Sequence, residues 1–331
     1  MSKKDNNQPV ISWGIIGCGD VTEIKSGPAF NKVSNSALIA VMRRDAAKAA
    51  DYAERHGVGR WYSDASALMD DPGINAVYIA TPPAFHKDYA IEALRRGLSV
   101  YLEKPVTLNA AEAELIAEAV RQSGGRLVAA HYRRAVPMFL FVKKLLDSKA
   151  IGEPRTVQIR MWQSARPGLV THTEQPWRLD PALSGGGYFH DLAPHQLDLM
   201  VYFFGAPTWM QGRALNQANL SAADDHVTGI ALFDNSIVLN GSWSFNVAEQ
   251  DQADECLIAG SEGSIRFPFF GKTVSWYNRE YPEGQTMDFE HPRHIQQPMI
   301  EQVVNYFLHK GDNPCSIEQA IIVMRMIDAF T

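Results

Sequence analysis

The stretch VISWGIIGCGDVT, residues 10–22, decides the fold. It begins as an apolar run rich in β-branched residues, typical of a buried strand, and ends in the pattern Gly17-x-Gly19-x-x-Thr22. Gly17 permits a tight turn, and Gly19 would let a pyrophosphate approach the backbone at the start of a helix. The third position is Thr22 rather than Gly or Ala, so an ordinary strand-to-helix turn is the alternative. Because the pattern opens a series of strands and helices, it predicts a dinucleotide site formed by Gly17, Cys18, Gly19, Asp20 and Val21.

The next 110 residues alternate short apolar runs with amphipathic segments. SALIAVM, INAVYIAT, LSVYLEKP and RLVAAHY have the composition of buried strands, and prolines follow two of them. Between them, AAKAADYAERH is closed by Gly57, KDYAIEALRR by Gly97, and a third helix starts after a capping Asn109. This βαβ alternation predicts a doubly wound parallel sheet.

The regular alternation of strands and helices ends near residue 130. A helix is predicted over MFLFVKKLLDSKAIG, followed by short strands such as RTVQIRMWQ, VTGIALF, SIVLNGSWSF and DECLIAG, and then by two final helices. These strands predict an antiparallel or mixed sheet in a second α/β domain. Apolar residues on its exposed face predict a homo-oligomer, either a dimer or a tetramer.

Composition excludes several classes of function. The 331 residues carry a net charge of -6, so no electrostatic footprint for nucleic acid is expected. The polar start lacks a signal-peptide core, and no apolar run approaches the roughly 20 residues that cross a bilayer. The three cysteines are far apart and form neither a disulfide framework nor a zinc pattern. We therefore expect a cytoplasmic protein with no membrane partner.

The end of the second strand reads AVMRRD, and this position usually decides between NAD and NADP. Arg43 occupies the position of the acid that would bind a ribose hydroxyl, and Arg44 follows it. Arginine would instead accept a 2′-phosphate, which favours NADP(H). A shifted register would place Asp45 at the ribose and favour NAD, and a solvated pair of surface arginines is the third reading.

Two further segments carry side chains suited to proton transfer. Lys104, with Glu103 beside it, ends a parallel strand at the edge where open α/β sheets bind ligands. In SGGGYFHDLAPHQLD, residues 184–198, helical spacing places Asp191, His195 and Asp198 on one face. The alternatives are a catalytic acid–base pair, a metal site and a buried network. Because the adjacent residues His190 and Asp191 face different ways on a helix, we expect no metal.

Taken together, the glycine turn, TPPAFH (81–86), EKP (103–105) and GGG…D…H..D resemble the glucose-fructose oxidoreductase / inositol dehydrogenase / MocA-like (Gfo/Idh/MocA) family over nearly the whole chain. The resemblance implies an NAD(P)-binding Rossmann domain over residues 1–130. It also implies a C-terminal substrate-binding and oligomerisation domain over residues 131–331, with an open, mostly antiparallel sheet. Most members of that family act on sugars, polyols or related cyclic alcohols and ketones, and need no metal.

The resemblance also assigns roles to residues. Lys104 would be catalytic and would touch the nicotinamide side of the site together with Glu103, and Asp191 and His195 would be the active-site carboxylate and histidine. Further cofactor contacts are implied for Thr81, Pro82, His86, Trp177 and Arg178. Substrate contacts are implied for Tyr132 and Arg133, while the strand position of Trp162 would let it reach the mouth of the cleft. The chain departs from the family pattern at Tyr132-Arg133-Arg134 and at Ala193-Pro194. In the family, these positions lie where the shape of the substrate is recognised.

The sequence thus predicts an NADP(H)-dependent oxidoreductase that moves a hydride between nicotinamide and a sugar-like or cyclic polyol or its ketone. His195, with Lys104 as partner or alternative, would supply the matching proton, and Asp191 would orient these cations. Asp198 is expected to be a structural brace. Two alternatives stay open: an enzyme that keeps NAD(H) tightly bound while it oxidises and eliminates at a glycoside, and a non-catalytic nucleotide-binding regulator.

Overall fold

The opening strand lies in the middle of a parallel sheet. The computed structural model describes residues 10–170 and 176–331. Six strands form the first sheet: β1 (Ile11–Ile16), β2 (Ser36–Met42), β3 (Arg60–Tyr62), β4 (Ala76–Ile79), β5 (Ser99–Leu102) and β6 (Leu127–Ala129). Their order is β3-β2-β1-β4-β5-β6, and all neighbours are parallel. This order reverses direction beside β1, which creates a crevice at the carboxyl ends of β1 and β4.

In the described part of the chain, five helices connect the strands: α1 (Asp20–Ile24), α2 (Ala46–His56), α3 (Ala65–Met69), α4 (His86–Arg95) and α5 (Ala110–Ser123). Capping residues bound two of them, α2 and α5, as predicted. Asn109 accepts a hydrogen bond from the Glu112 backbone N–H at the start of α5, and Gly57 ends α2 with φ of 65°. These local signals fix the lengths of the elements that place the crevice.

A second sheet of eight strands follows. Its strands are β7 (Pro154–Trp162), β8 (Pro207–Leu215), β9 (His226–Phe233), β10 (Val238–Ser244), β11 (Ala253–Gly260), β12 (Ser264–Phe267), β13 (Thr273–Tyr277) and β14 (Gln285–Asp288). Their order is β14-β13-β12-β11-β7-β10-β9-β8. The β7–β10 pair is parallel and the other pairs are antiparallel. The predicted fold class, a doubly wound parallel sheet plus an open, mostly antiparallel sheet, is confirmed.

Further helices follow in the second half of the chain: α6 (Pro137–Asp147), α7 (Pro181–Ser184), α8 (Gly187–Phe204), α9 (Gln297–Phe307) and α10 (Ile317–Phe330). Of these, α6, α8 and α10 pack against one face of the second sheet. Along β7, Val157, Ile159 and Met161 are buried, while the alternate residue Arg160 is exposed. The side of the sheet that carries Arg160 is the open face.

The last helix joins the two sheets. Asp328 on α10 accepts a hydrogen bond from the Ala110 backbone N–H at the start of α5, at 2.9 Å. The Phe330 ring packs so closely against β9 that a side chain at Gly229 would approach it to 2.6 Å. The C-terminal helices therefore hold the crevice of the first sheet against α8. Over the two described ranges, no helix has the length and apolar character needed to cross a membrane.

Candidate active site

A cleft of about 990 Å³ lies at the carboxyl ends of β1, β2 and β4. The crevice beside β1 is where doubly wound sheets bind ligands. All the predicted cofactor residues except His86, Glu103 and Lys104 line this cleft. The lining residues are Gly17, Cys18, Gly19, Asp20, Val21, Met42, Arg43, Arg44, Asp45, Lys48, Ala80, Thr81, Pro82, Phe85, Tyr89, Trp177, Arg178 and Leu183.

The two motif glycines serve different purposes. Gly17 has φ of 95°, and a Cβ there would lie 2.8 Å from Thr81 Cγ2, so both backbone conformation and space exclude a side chain. At Gly19, the only atom within 4 Å of an added Cβ is the Gly17 oxygen, at 4.0 Å. Protein packing does not require glycine at position 19. Its missing side chain leaves room in the cleft, as a phosphate-bearing ligand would need.

The helix after this loop is shorter than the motif predicts. α1 has only five residues and carries Asp20 and Glu23 in its first turn, so its dipole contributes little to anion binding. Thr22, which replaces the third glycine, is fully buried and donates a hydrogen bond to the Gly19 oxygen at 2.7 Å. Threonine therefore fits this position by closing the turn with its own side chain.

Three basic side chains line the end of the cleft beyond β2. Arg43 Nη1 donates to the Cys18 oxygen at 3.3 Å, and the Arg44 guanidinium lies over the Phe85 ring at 5.1 Å. Asp45 caps α2 by accepting a hydrogen bond from the Lys48 backbone N–H, and its other oxygen lies 4.0 Å from Lys48 Nζ. The Asp45 carboxylate is already bound to the start of α2. Asp45 is therefore less suited than the two arginines to bind the ribose of a dinucleotide.

Next to the cleft, Asp191 brings together Lys104 and Arg178, and of these two Arg178 lines the cleft. Its Oδ1 lies 2.9 Å from Lys104 Nζ, and its Oδ2 accepts from Arg178 Nε at 2.8 Å. Lys104 also donates to the Asp191 backbone oxygen at 3.0 Å. Burial alone would raise the pKa of Asp191, but the nearby Lys104 and Arg178 charges hold it well below its usual range. The carboxylate is therefore ionised at neutral pH and fixes the lysine ammonium.

His195 lies one turn further along α8 and is buried between two aromatic rings. The Tyr132 and Phe270 rings meet it edge-on, with centroids at 5.3 and 5.7 Å. Burial, with further contributions from the positive charges of Lys104 and Arg133, lowers its pKa well below the usual range. The imidazole is neutral at physiological pH, and its buried Nδ1 has no hydrogen-bond partner among the described residues.

The neighbouring arginines hold the two halves of the site together. Arg133 donates to the Phe269 oxygen at 2.5 Å and lies 4.2 Å from the centre of the Phe270 ring. Arg134 makes a bidentate contact with buried Asp198, whose oxygens lie 2.7 to 3.1 Å from its nitrogens. Asp198 is thus a structural brace, as its position predicts.

His86 differs from its predicted place along the cofactor. Its ring is buried, and its two nitrogens lie 2.9 Å from the Pro105 oxygen and 2.7 Å from the Thr81 oxygen. Burial lowers the pKa of His86 to about 4, so the ring is neutral. Because the neutral ring carries one N–H, it donates to one of these two oxygens, and both ring nitrogens face the backbone and not the cleft.

Glu103 and Trp162 also differ from prediction. Glu103 is buried behind the cleft, where its Oε2 accepts from the Lys104 backbone N–H rather than from the ammonium. Trp162 lies on the open face of the second sheet, where its Nε1 donates to Ser242 at 3.0 Å and its ring stacks on Arg160. In both cases the side chain points away from the cleft, a direction that the sequence pattern alone does not fix.

Two of the glycines at the start of α8, Gly186 and Gly187, have a packing role. A Cβ at Gly186 would lie 2.3 Å from the His190 ring, and one at Gly187 would lie 2.6 Å from Ala223 Cβ. His190, the possible metal ligand, is therefore buried against this turn, and burial lowers its pKa to about 4. In residues 10–170 and 176–331, no three side chains of metal-ligating type form a group that could hold an ion.

Sequence reasoning missed several cleft residues. Phe85 and Tyr89 belong to the TPPAFH segment and the following helix, and their rings stack with centroids 6.4 Å apart. Lys48 lies one turn into α2, and Leu183 comes from the second half of the chain. A signal existed only for Lys48, since its three-residue spacing from Asp45 is that of side chains on one helix face.

With this geometry in view, the molecule is built on a dinucleotide-binding fold followed by a second, mostly antiparallel sheet. The family model "Oxidoreductase family, NAD-binding Rossmann fold" matches residues 11–131, and the model "GFO/IDH/MocA C-terminal domain" matches residues 139–266. The chain is 47% identical over 320 residues to Oxidoreductase P35 of Formosa agariphila, covering 97% of this chain and 98% of that protein. The chain therefore belongs to the Gfo/Idh/MocA family of oxidoreductases.

More distant relatives are named for particular substrates. The trans-1,2-dihydrobenzene-1,2-diol dehydrogenase of Oryctolagus cuniculus is 28% identical over 277 residues, which cover 83% of this chain and 79% of that protein. A levoglucosan dehydrogenase solved in complex with NADH and levoglucosan superposes with a TM-score of 0.85 at 20% identity, covering 97% of this chain and 96% of that one. The second likeness shows a shared fold.

Proposed function

We propose that this protein is an NADP(H)-dependent oxidoreductase that transfers a hydride between nicotinamide and a sugar-like or cyclic polyol or the corresponding ketone. The observation that carries the proposal is the Lys104–Asp191 contact, which is joined through Arg178 to a cleft whose glycine loop leaves room for a dinucleotide. Membership of the family supports the class of reaction. The cofactor preference and the role of each residue are inferred from the site.

The charge of the cleft supports NADP(H) over NAD(H). Arg43, Arg44 and Lys48 line the end where the ribose would lie, and the acid among them, Asp45, caps α2. A 2′-phosphate would be attracted by the two guanidinium groups, and Arg44 with Phe85 would enclose the adenine ring.

The loop after β1 would hold the pyrophosphate. The backbone N–H groups of Gly17 and Cys18 already donate to the Met42 oxygen, and that of Gly19 donates to Gly17. The N–H groups of Asp20 and Val21 begin α1 and have no acceptor within the helix, so they would face the phosphates. Bound there, the nicotinamide would accept or donate the hydride, and Thr81, Pro82, Trp177 and Arg178 would line its approach.

Lys104 would handle the proton that accompanies hydride transfer. Asp191 holds its ammonium with both a carboxylate and a backbone oxygen, so the amine is presented in one orientation. In the reducing direction Lys104 would protonate the new alkoxide, and in the oxidising direction its neutral amine would accept the alcohol proton. Neutral His195 would bind the reacting hydroxyl and share the proton with Lys104. Tyr132 and Arg133 would line the part of the site that contacts the substrate.

The substrate class rests on the relatives. The dihydrobenzenediol and levoglucosan dehydrogenases carry the names of ring compounds with hydroxyl groups. The ionised Asp191 carboxylate and the neutral His195 imidazole, one helical turn apart on α8, suit such hydroxyls, because each group can accept a hydrogen bond from a hydroxyl.

A screen of cyclic polyols, ketoses and anhydrosugars with NADP⁺ and NADPH tests the proposal. Turnover is followed by nicotinamide absorbance in wild type, Lys104→Met and the matched control Lys32→Met, an exposed lysine outside the cleft. We expect at least one substrate to be turned over by wild type and Lys32→Met, and to lose at least 100-fold with Lys104→Met. Equal turnover in Lys104→Met would contradict the proposed role.

The quaternary arrangement and domain division belong to the same proposal. The open face of the second sheet presents Trp209 and Ile230, both exposed, which a second copy packed face to face would cover in a dimer or half of a tetramer. Residues 1–130 would bind cofactor, and residues 131–331 would bind substrate and form that contact. All three cysteines are free, buried thiols, which favours a cytoplasmic location.

A further inference from the structure

Behind Lys104, a buried carboxylate is held by donors from distant parts of the chain. Glu103 Oε1 accepts hydrogen bonds from the Tyr78 hydroxyl at 2.5 Å and from Gln296 Nε2 at 2.7 Å. Its Oε2 accepts from the Lys104 backbone N–H at 3.0 Å. A buried carboxylate is stable only when such donors replace its water, so each of these groups affects where the carboxylate points.

Gln296 is fixed so that its amide group can aim only at Glu103. It is fully buried, and it is separated from Glu103 by 193 positions in the chain. Its backbone N–H donates to the Lys25 oxygen at 3.1 Å, and its side-chain oxygen accepts from the Tyr101 hydroxyl at 3.2 Å. With the oxygen and the backbone both engaged, the amide nitrogen has one orientation, toward the carboxylate.

We propose that Gln296 is a positioning residue for the proposed acid–base lysine, acting through Glu103. By donating to Oε1, it keeps the carboxylate turned so that Oε2 binds the Lys104 backbone N–H and not the ammonium. The ammonium is then left to Asp191, 2.9 Å away. The inference rests on the proposed function for the role of Lys104, but the contact network it concerns is independent of any substrate.

The physical reason lies in competition between two carboxylates for one cation. Glu103 contacts the backbone N–H of Lys104, whereas Asp191 contacts its ammonium. Removing the Gln296 donor would leave Oε1 with the Tyr78 hydroxyl only. The carboxylate would then gain by turning toward the ammonium, because an ion pair at low dielectric is stronger than a neutral hydrogen bond. Lys104 would be drawn from its place on Asp191.

The other charged and titratable groups around the pair are few among the described residues. Tyr78 on β4 and Tyr101 on β5 are buried, and burial, reinforced by the charge of Glu103, holds their pKa values well above the usual range. His131 is buried after β6 and neutral, since burial lowers its pKa. Lys25 contributes its backbone oxygen from the end of α1. Burial therefore disfavours the charged forms of Tyr78, Tyr101 and His131.

Two substitutions separate positioning from simple packing. Gln296→Leu keeps approximate size but removes the donor at every pH. Gln296→Glu places a second carboxyl group next to that of Glu103. The two groups must share a proton, because two adjacent carboxylates cannot both ionise easily. While it is protonated, Glu at 296 can donate to Glu103 as the amide did, and it loses that ability as the pH rises through its raised pKa.

The first readout is the pH profile of turnover with any substrate found in the screen. We expect Gln296→Leu to lower kcat about 10- to 100-fold at all pH values, with little change in the KM for NADPH. Gln296→Glu should approach wild-type kcat at acid pH and fall toward Gln296→Leu as the pH rises. Gln163→Leu, which removes a buried amide bound only to the Trp162 oxygen, is the matched control and should keep the wild-type profile shape.

The second readout does not need turnover. Reductive methylation with ¹³C-formaldehyde gives the lysines NMR signals, and the signal missing in Lys104→Arg identifies Lys104. We expect its shift and titration to change in Gln296→Leu and, at high pH only, in Gln296→Glu. If Gln296→Leu does not fold, Tyr78→Phe removes the other donor to the same oxygen and should act in the same direction.

The two proposals fail in different ways. If wild type turns over no compound in the screen, the proposed function fails while the NMR titration still decides the role of Gln296. If Gln296→Leu and Gln296→Glu lower thermal stability alone, and leave both the pH profile and the Lys104 signal as in wild type, the positioning role is overturned.

Discussion

Replacing Asp191 with asparagine removes the negative charge that Lys104 and Arg178 share while keeping the shape of the side chain. The carboxylate is largely buried: its side chain is 13% exposed, and that of Lys104 is 12% exposed. The side-chain oxygen of asparagine can accept a hydrogen bond from one of the two cations. The NH2 group of the same side chain then faces the other cation and cannot accept a hydrogen bond from it. The substitution should therefore leave two cations close together without a counter-charge.

The expected loss follows from the two contacts. Each charge-assisted hydrogen bond contributes roughly 1.5–3 kcal/mol, and removing one member of a buried ion pair costs about 3–5 kcal/mol. Since one neutral hydrogen bond remains, we expect Asp191→Asn to lower the free energy of unfolding by about 3 kcal/mol. If the same contact holds Lys104 in the transition state, kcat falls about 100-fold.

The pH dependence has a defined sign. The pKa of Asp191 in the folded protein lies below its ordinary value of 3.8, so its contribution to stability is present above that value and is lost as the pH falls toward the folded-state pKa. The difference in unfolding free energy between wild type and Asp191→Asn should therefore be largest near neutral pH and smaller at pH 3.

Urea unfolding of wild type, Asp191→Asn, Lys104→Met and the double variant measures the coupling between the two side chains. We expect the double variant to lose less than the sum of the single losses, by about 2 kcal/mol, because Asp191→Asn leaves the Lys104 ammonium without its counter-charge and the double variant does not. Losses that simply add, or a difference between wild type and Asp191→Asn that grows toward acid pH, would refute the reasoning.

Three further predictions concern other parts of the molecule. Gly19→Val should weaken NADPH binding at least tenfold without lowering Tm, since a side chain there meets open cleft and not protein. Calorimetry of binding and of unfolding measures the two effects. A fall in Tm would contradict the role given to Gly19. The hydrogen bond from Arg55 lowers the pKa of Glu23 to about 2, so its contribution to stability is present above about pH 4.5 and is lost as the pH falls through 2. Glu23→Gln should therefore lose less stability than wild type between pH 7 and pH 3 in urea titrations; an equal loss in the two proteins would argue against the contact. Ile230→Asp, on the open face of the second sheet, should convert the proposed oligomer to a monomer in light scattering; a monomeric wild type at micromolar concentration would remove the basis for this prediction.

Local patterns predicted most of the fold. Alternation, caps and glycines placed the strands from β1 to β6, apart from short β3, because those elements depend on neighbours in the chain. β8 and β14 were not predicted: β8 includes a glycine and an arginine among its apolar residues, and β14 is a short, exposed edge strand. Such strands are specified by the sheet they join and not by their own composition.

Side-chain direction at the site was predictable only in part. Lys104 and Asp191 meet because both lie at the ends of elements that face the crevice. His86 follows the end of β4, and Glu103 follows the end of β5. Both side chains nevertheless turn into the protein and contact backbone groups. One partner of Glu103 is Gln296, and no local pattern connects residues 193 positions apart. Long-range packing decides these cases.

The most direct test of the account is a titration of the purified protein with NADPH and NADH, followed by nicotinamide fluorescence, in wild type and Arg43→Ala. Removing a guanidinium that contacts a 2′-phosphate costs roughly 1.5–3 kcal/mol, or about 10- to 100-fold in Kd. We predict tighter binding of NADPH than of NADH by wild type, with that preference lost in Arg43→Ala. Tighter binding of NADH, unchanged in the variant, would contradict the account and assign the ribose to Asp45.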